Sequence, residues 1–188
     1  MVTIHELNTK RLRLRQWQQT DLKPFAAINA DPQVMEFYPK LMSEEESNQT
    51  AERFQDLIEQ NGWGFWAIED LKSSEFLGFV GLHKPNLPYP FAPCVEIGWR
   101  LKRDAWGKGF ATEGSLAALD FAFNVLELAE ILSFTSVLNN RSEAVMRRLG
   151  MINTGGNFQH PNVPDHSPLK EHVLYRMTRS MFSDIIMA

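Results

Sequence analysis

Leu12 and Leu14 alternate with Arg11, Arg13 and Arg15, a period of two that predicts a strand over 10–16 with apolar and basic faces. The three arginines are expected on a solvated outer face. The pattern then turns helical. Asp21 stands where a cap would precede a helix over Leu22–Asn29, and Asp31-Pro32 opens a second, with proline at its first position. Ser43 and Glu46 have the spacing of a capping box before a helix through Ile58 to Gln60, which Asn61-Gly62 ends. Phe65–Asp70 and Phe76–His83 predict two strands joined by a turn at Lys72-Ser73-Ser74. Pro85 to Pro93 contains four prolines and predicts a loop. A strand over Val95–Leu101, a helix over Ala111–Leu126, a strand over Ile131–Leu138 and a helix over Arg141–Leu149, stopped by Gly150, follow as a βαβα unit. Met151–Phe158 and His172–Thr178 predict two last strands around a long polar loop, the final one exposed enough to pair across a two-fold axis.

This order is α+β, with strands mostly antiparallel and helices inserted near the front. No repeat, low-complexity tract or linker divides the 188 residues, so 1–188 is expected to be a single domain. Apolar (44%) and charged (22%) contents are those of a globular chain. The first fifteen residues lack the apolar centre of a signal peptide, and Asp120 and Asn124 interrupt the most apolar helix. A cytoplasmic protein is expected, with no membrane partner. A lone cysteine, Cys94, rules out an internal disulfide and is expected as a small buried residue at a strand start. The net charge of −4 argues against nucleic acid as a partner.

Against that acidic background, Trp99 to Thr112 carries four basic residues (Arg100, Lys102, Arg103 and Lys108) and one acid, Asp104. Gly107 and Gly109 lie in the turn that feeds a helix. Helix starts leave unpaired N–H groups with partial positive charge, and glycine lets an anion approach them closely. The turn therefore reads as a phosphate cradle, although a Gly-rich turn can also merely join a strand to a helix. Lys108 lies between the glycines, which does not fit a Walker A loop. Thr112 stands where a dinucleotide fingerprint needs its last Gly or Ala, and the next strand ends in Leu138-Asn139-Asn140 without the required acid.

Trp106-Gly107-Lys108-Gly109-Phe110-Ala111 resembles the acetyl-CoA signature of the GNAT superfamily of N-acetyltransferases, with Trp106 replacing the usual polar first residue. The run on to Thr112 and Glu113 resembles the Rim-type branch, the ribosomal-protein N-terminal acetyltransferases. Thr9–Arg15, Phe76–Leu82, Asn139–Ser142 with Arg148–Met151, and His172–Met177 resemble further segments of the family in order. The resemblance implies a GNAT fold of about six or seven strands flanked by about four or five helices, splayed at the fourth strand.

It also implies that backbone groups from Gly107 through Lys108, Gly109, Phe110 and Ala111 to Thr112 bind the CoA pyrophosphate beside Trp106, and that Trp99 and Leu101 pair with pantetheine. An N–H near Trp99 would stabilise the developing oxyanion. Acetyl-CoA is the implied co-substrate and a primary amine the acceptor, either a protein N-terminus or a small molecule. Glu96, on the strand entering the site, is the candidate base, directly or through a water; a salt bridge to a neighbouring arginine is the structural alternative. Many relatives place a tyrosine acid seven residues after the asparagine of the second signature; counting from Asn139 gives Met146. Ser142 is then the candidate donor to sulfur, with Asn139 holding pantetheine; alternatively Asn140 caps the helix. Phe37, Tyr38 and Trp66 are candidate acceptor-site aromatics, and His160 a candidate for the lip of that cleft. His160, His166 and His172 match no metal-ligand spacing, and no metal is expected. The chain is expected as a monomer or homodimer. Loss of the tyrosine leaves one other class, an acyl-CoA-binding sensor or interaction domain without turnover.

Overall fold

The computed structural model describes residues 2–187. Its strands are β1 (Leu7–Asn8), β2 (Leu12–Arg15), β3 (Phe65–Asp70), β4 (Phe76–His83), β5 (Glu96–Leu101), β6 (Glu130–Ser136), β7 (Ile152–Asn153), β8 (Phe158–Gln159) and β9 (Glu171–Thr178). Its helices are α1 (Leu22–Asn29), α2 (Glu44–Asn61), α3 (Phe110–Asn124), α4 (Asn140–Arg148) and α5 (Arg179–Met187). The strands form one sheet in the order β1-β2-β3-β4-β5-β6-β9-β7, with β8 also on β9. This is the mixed, mostly antiparallel α+β arrangement of the GNAT fold. Its one parallel junction is β5 on β6, paired only at Glu96 and Leu132, so the two strands part beyond that point.

Alternation along the strands decides what covers each face. On the back, Trp66 meets Phe121 of α3 edge-on at 5.6 Å, and Val80 packs beneath Gly114. On the front, Phe79 meets Phe25 of α1 at 6.1 Å and Phe54 of α2 at 5.1 Å. Arg100 pairs with Phe79 across β4 and β5, and Glu96 with His83, so both point to the front. Farther along, Tyr89 and Phe91 of the proline-rich loop and Phe158 of β8 cover Leu132, Phe134 and Leu174. Among the described residues no helix is long and apolar enough to cross a membrane.

The capping box forms in both directions, the Glu46 N–H donating to Ser43 Oγ and the Ser43 N–H to the Glu46 carboxylate, and Gly62 ends α2 at φ 82°. Five expectations need correction. Arg15 is not on a solvated face: it is 3% exposed, held on Asp21 and Glu69. Asp21 accordingly spends its carboxylate on Arg15 and on the Gln18 N–H and makes no side-chain cap for α1. Asp31-Pro32 opens only a turn: the Met35 N–H reaches Asp31 O, then Tyr38 bonds back to Met35. A single turn does not offset the cost of helix nucleation, and Pro39 blocks its extension. The final strand is no edge, since β6 flanks β9 on one side and β7 and β8 on the other. Met151–Phe158 is two short strands rather than one, and α5 follows β9, anchored by Phe182 against Phe123 at 5.3 Å.

Candidate active site

The turn between β5 and α3 leaves backbone N–H groups open, as an anion would need. Gly107 and Gly109 sit at φ 73° and 81°, where a side chain would be strained, and a Cβ on Gly107 would meet nothing within 4 Å. Gly109 is the N-cap of α3 and no side chain caps it, so the first N–H groups of the helix are left for a ligand. Trp106 is held by its Nε1–H on Leu101 O at 3.0 Å, and its ring lies between the guanidinium groups of Arg103 (4.7 Å) and Arg141 (4.8 Å). Behind the turn, Glu113 accepts from Thr9 Oγ1 at 2.6 Å, the Arg11 N–H at 2.9 Å and Arg11 Nε at 2.6 Å. Arg11 also donates to Lys108 O at 3.0 Å. Burial alone would raise the Glu113 carboxyl, but the bonds from Thr9 and Arg11 outweigh it and hold it below the ordinary value.

Beyond the Glu96–Leu132 pair the gap between β5 and β6 is bridged by Ser133, whose hydroxyl donates to Ile97 O at 3.0 Å. Trp99 and Leu101 lie past that bridge, on a stretch of β5 with no β6 ladder among the described residues. Across the gap stands the start of α4. Its cap is Asn139 rather than Asn140: Asn139 Oδ1 accepts the Ser142 N–H at 3.1 Å, and Nδ2 donates to Thr135 Oγ1 at 3.0 Å. Ser142 is half-buried there and its hydroxyl makes no hydrogen bond among the described residues. Met146 is 1% exposed and belongs to the core. Backbone amides, a basic rim and a parted strand suit the pyrophosphate and pantetheine of acetyl-CoA.

The front of β5 is different. Glu96 is held not by an arginine but by His83, Nδ1 to Oε1 at 2.9 Å, and Phe65 stacks on the His83 ring at 5.3 Å. Phe37 lies under Arg141 at 5.2 Å, and Arg141 also donates to Glu36 at 2.5 Å. Tyr38 covers the Arg100 guanidinium at 4.1 Å. His160 receives the Asn162 N–H on Nδ1 at 3.2 Å, which leaves Nε2–H to donate to Tyr89 Oη at 3.0 Å. Trp66 is not at this surface. It is fully buried on the back face with its Nε1–H on His5 O, because Phe65 takes the front position of β3. Cys94 lines the same region half-buried; burial, then Glu96 and Glu130, push its thiol up to about 11, which suits packing rather than attack.

Over residues 11–152 the chain matches the family described as acetyltransferase (GNAT) domain. The chain belongs to the GNAT acetyltransferases. It is therefore an acetyl-CoA-dependent acyltransferase of the N-acetyltransferase class. It is 29% identical over 147 residues to the YkkB protein of Bacillus subtilis, covering 78% of this chain and 84% of that one. It is 27% identical over 180 residues to the FsC-acetyl coenzyme A-N(2)-transacetylase of Aspergillus fumigatus, covering 92% and 76%. The crystal structure of a GNAT-family acetyltransferase from Bacillus anthracis shares the fold at TM-score 0.78 and 21% identity, over 94% of this chain and 99% of that one.

In this GNAT chain, then, the turn, Trp106, Trp99, Leu101, Asn139 and Ser142 gather around one gap, while Glu96, Phe37 and Tyr38 lie on the front. His160 stands farther along the same face. Sequence reasoning missed His83, set Phe65 beside Trp63 and Trp66 near the cleft but chose Trp66, and passed over the place of Arg100 between Asn29 and Tyr38. Phe65 was legible from the alternation with Trp66. His83 was not, because the loop from Lys84 to Val95 imposes no register on β4 and β5.

Proposed function

We propose that the protein transfers the acetyl group of acetyl-CoA to a primary amine by direct attack on the thioester. The acceptor is a protein N-terminus or a small-molecule amine. The observation that carries this is the uncapped, glycine-opened start of α3 beside the unladdered stretch of β5. Acetyl-CoA supplies an activated acetyl group and a thiolate leaving group. The N–H groups from Gly107 to Thr112 hold its pyrophosphate, and the main chain of Trp99 and Leu101 pairs with pantetheine. An N–H near Trp99 polarises the thioester carbonyl. Glu96, oriented by His83, takes the proton of the attacking amine. Ser142, presented by the Asn139 cap, donates to sulfur. Phe37, Tyr38 and His160 bound the acceptor cleft, and residues 1–188 work as one domain.

The run from Trp106 to Glu113 supports a place beside the Rim-type N-terminal acetyltransferases. The name of the Aspergillus relative supports a nitrogen acceptor. Calorimetric titration with acetyl-CoA, wild type beside Gly109→Glu, tests the donor site. Micromolar binding that the variant abolishes is expected, and a folded wild type that binds no acetyl-CoA would sink the reading. Full turnover by Ser142→Ala at saturating substrates would remove the acid role from Ser142.

A further inference from the structure

Two arginines lie buried on the front of the sheet, and only one of them is neutralised. Arg15 is 3% exposed and Arg100 is 9% exposed. Arg15 donates to both oxygens of Asp21, at 2.7 and 2.9 Å, and to Glu69 at 2.8 Å. Arg100 has no carboxylate partner among the described residues. Its Nη1 donates to Asn29 Oδ1 at 2.6 Å, and its Nε is buried with no acceptor. Its other neighbours are the ring faces of Tyr38 at 4.1 Å and Phe79 at 5.5 Å. Asn29 is itself aimed, since its Nδ2 donates to the buried Ser47 hydroxyl at 2.8 Å. That network orients the guanidinium and leaves its charge unmet. Buried charges are ordinarily paired, and a buried donor without a partner is rare.

The place of Arg100 gives the imbalance a use. It shares the front of β5 with Glu96 and Gly98, and four residues of strand put it about 13 Å along from Glu96. Gly98, between them, presents no side chain; a Cβ there would meet the Phe65 ring at 3.2 Å. The strip thus has an acid at one end, a cation at the other and an aromatic edge between. Tyr38, which lies over the cation, is 36% exposed on a segment without helix or strand. Nε and Nη2 of Arg100, neither with a partner among the described residues, form the side-on fork that matches the two oxygens of a carboxylate.

We propose that Arg100 binds a carboxylate of the acceptor, so that the amine this protein acetylates belongs to a molecule that also carries an acid group. The proposal rests on the acetyl-transfer reading and names its substrate class. The amine lies against Gly98 and Glu96, and the acid takes the Nε–Nη2 edge of the guanidinium, whose face rests on Tyr38.

The test is a panel of amino acids and short acidic peptides, each beside its amide and, for the amino acids, the decarboxylated amine. Acetyl-CoA binding is followed separately by calorimetry. Wild type should prefer the acid by about tenfold or more in kcat/KM. In Arg100→Met that preference should shrink to about twofold, chiefly through KM, and Arg100→Lys should restore part of it. Acetyl-CoA affinity should be unchanged in both, because the side chain points away from α3. Wild type that acetylates amides or plain amines as well as the acids, or acetylates none of the acids, overturns the proposal. So does an Arg100→Met protein that keeps the preference. Should Arg100→Met not fold, the wild-type panel and Arg100→Lys decide the matter. Wild type that binds no acetyl-CoA fails at the earlier step, the donor reading, and the calorimetry shows that separately.

Discussion

The turn from Lys102 to Gly109 and the front of β5 around Glu96 serve one strand, yet they are made of different material. The turn offers backbone N–H groups, placed by two left-handed glycines and the start of a helix. The front offers side chains drawn from β3, β4, β5, the 32–40 segment and α1, each placed by what packs over it. A backbone site recognises what every acetyl-CoA enzyme must recognise. A side-chain site can be refitted residue by residue, so the acceptor is where members of one fold diverge. The contrast predicts that changes on the front alter turnover or acceptor choice and spare acetyl-CoA affinity, while changes behind the turn do the reverse.

The largest effect should come from Glu96. Glu96→Gln keeps the shape and removes the proposed base, and kcat should fall by about 10² to 10⁴ with acetyl-CoA affinity intact. A variant within twofold of wild type would mean that a water chain carries the proton, and the front would lose its chemical role. Next in size is Asp21→Ala. Burial pulls the Arg15 guanidinium down, and the bonds and charges of Asp21 and Glu69 more than offset it. Removing Asp21 leaves that buried charge short of its main partner and should cost about 3 kcal/mol, read from urea unfolding. Arg100→Met, by contrast, should cost only about 1 kcal/mol in the same measurement, since it removes an unneutralised charge and leaves only Asn29 Oδ1 without its donor. Equal losses at both arginines would erase the distinction between a structural corner and a binding strip.

His160 tests whether the far wall of the front is packed or open. Its pKa is lowered from 6.5 to about 4, first by burial, then by His172 and Lys170. The unfolded chain takes up this proton near pH 6.5, whereas the folded chain refuses it until about pH 4. Stability from this group is therefore full above 6.5 and lost as pH falls toward 4. The ring is partly solvated, so the loss should be about 2 kcal/mol, less than the full shift implies. His160→Gln should flatten that part of the stability profile. An unchanged profile would place the ring in solvent and the loop off the sheet.

How far the sequence carried the fold divides along the same line. Local signals sufficed for α2, whose Ser43–Glu46 box and Gly62 stop lie within a few residues of one another, and for the β3–β4 hairpin. They also sufficed for the shape of the turn between β5 and α3, since Gly107 and Gly109 state a backbone geometry directly. They failed wherever the outcome depended on a distant cover. Arg15 reads as a surface residue until Asp21 and Glu69 close on it, and Trp66 as a cleft residue until Phe65 claims the front. The contact of His83 with Glu96 is set by cross-strand register, to which no adjacent residue testifies.

The smallest predicted effect probes what holds the backbone site still. Gly107 and Gly109 give the turn its shape but also its freedom, because glycine has the most conformations to lose on binding. Glu113 opposes that freedom from behind, tied to Thr9 and Arg11, while Arg11 reaches Lys108 O inside the turn and its guanidinium lies 4.5 Å over Phe110. Glu113→Gln keeps the volume and weakens the tie to Arg11, so the turn would have to be ordered by the ligand itself. Acetyl-CoA affinity should fall by about tenfold, the worth of one charge-assisted bond, with kcat at saturation little changed. A loss confined to kcat would place Glu113 in the chemistry, and no loss at all would show that the glycines need no support from the first strands. Either result would move the boundary between the two halves of the site.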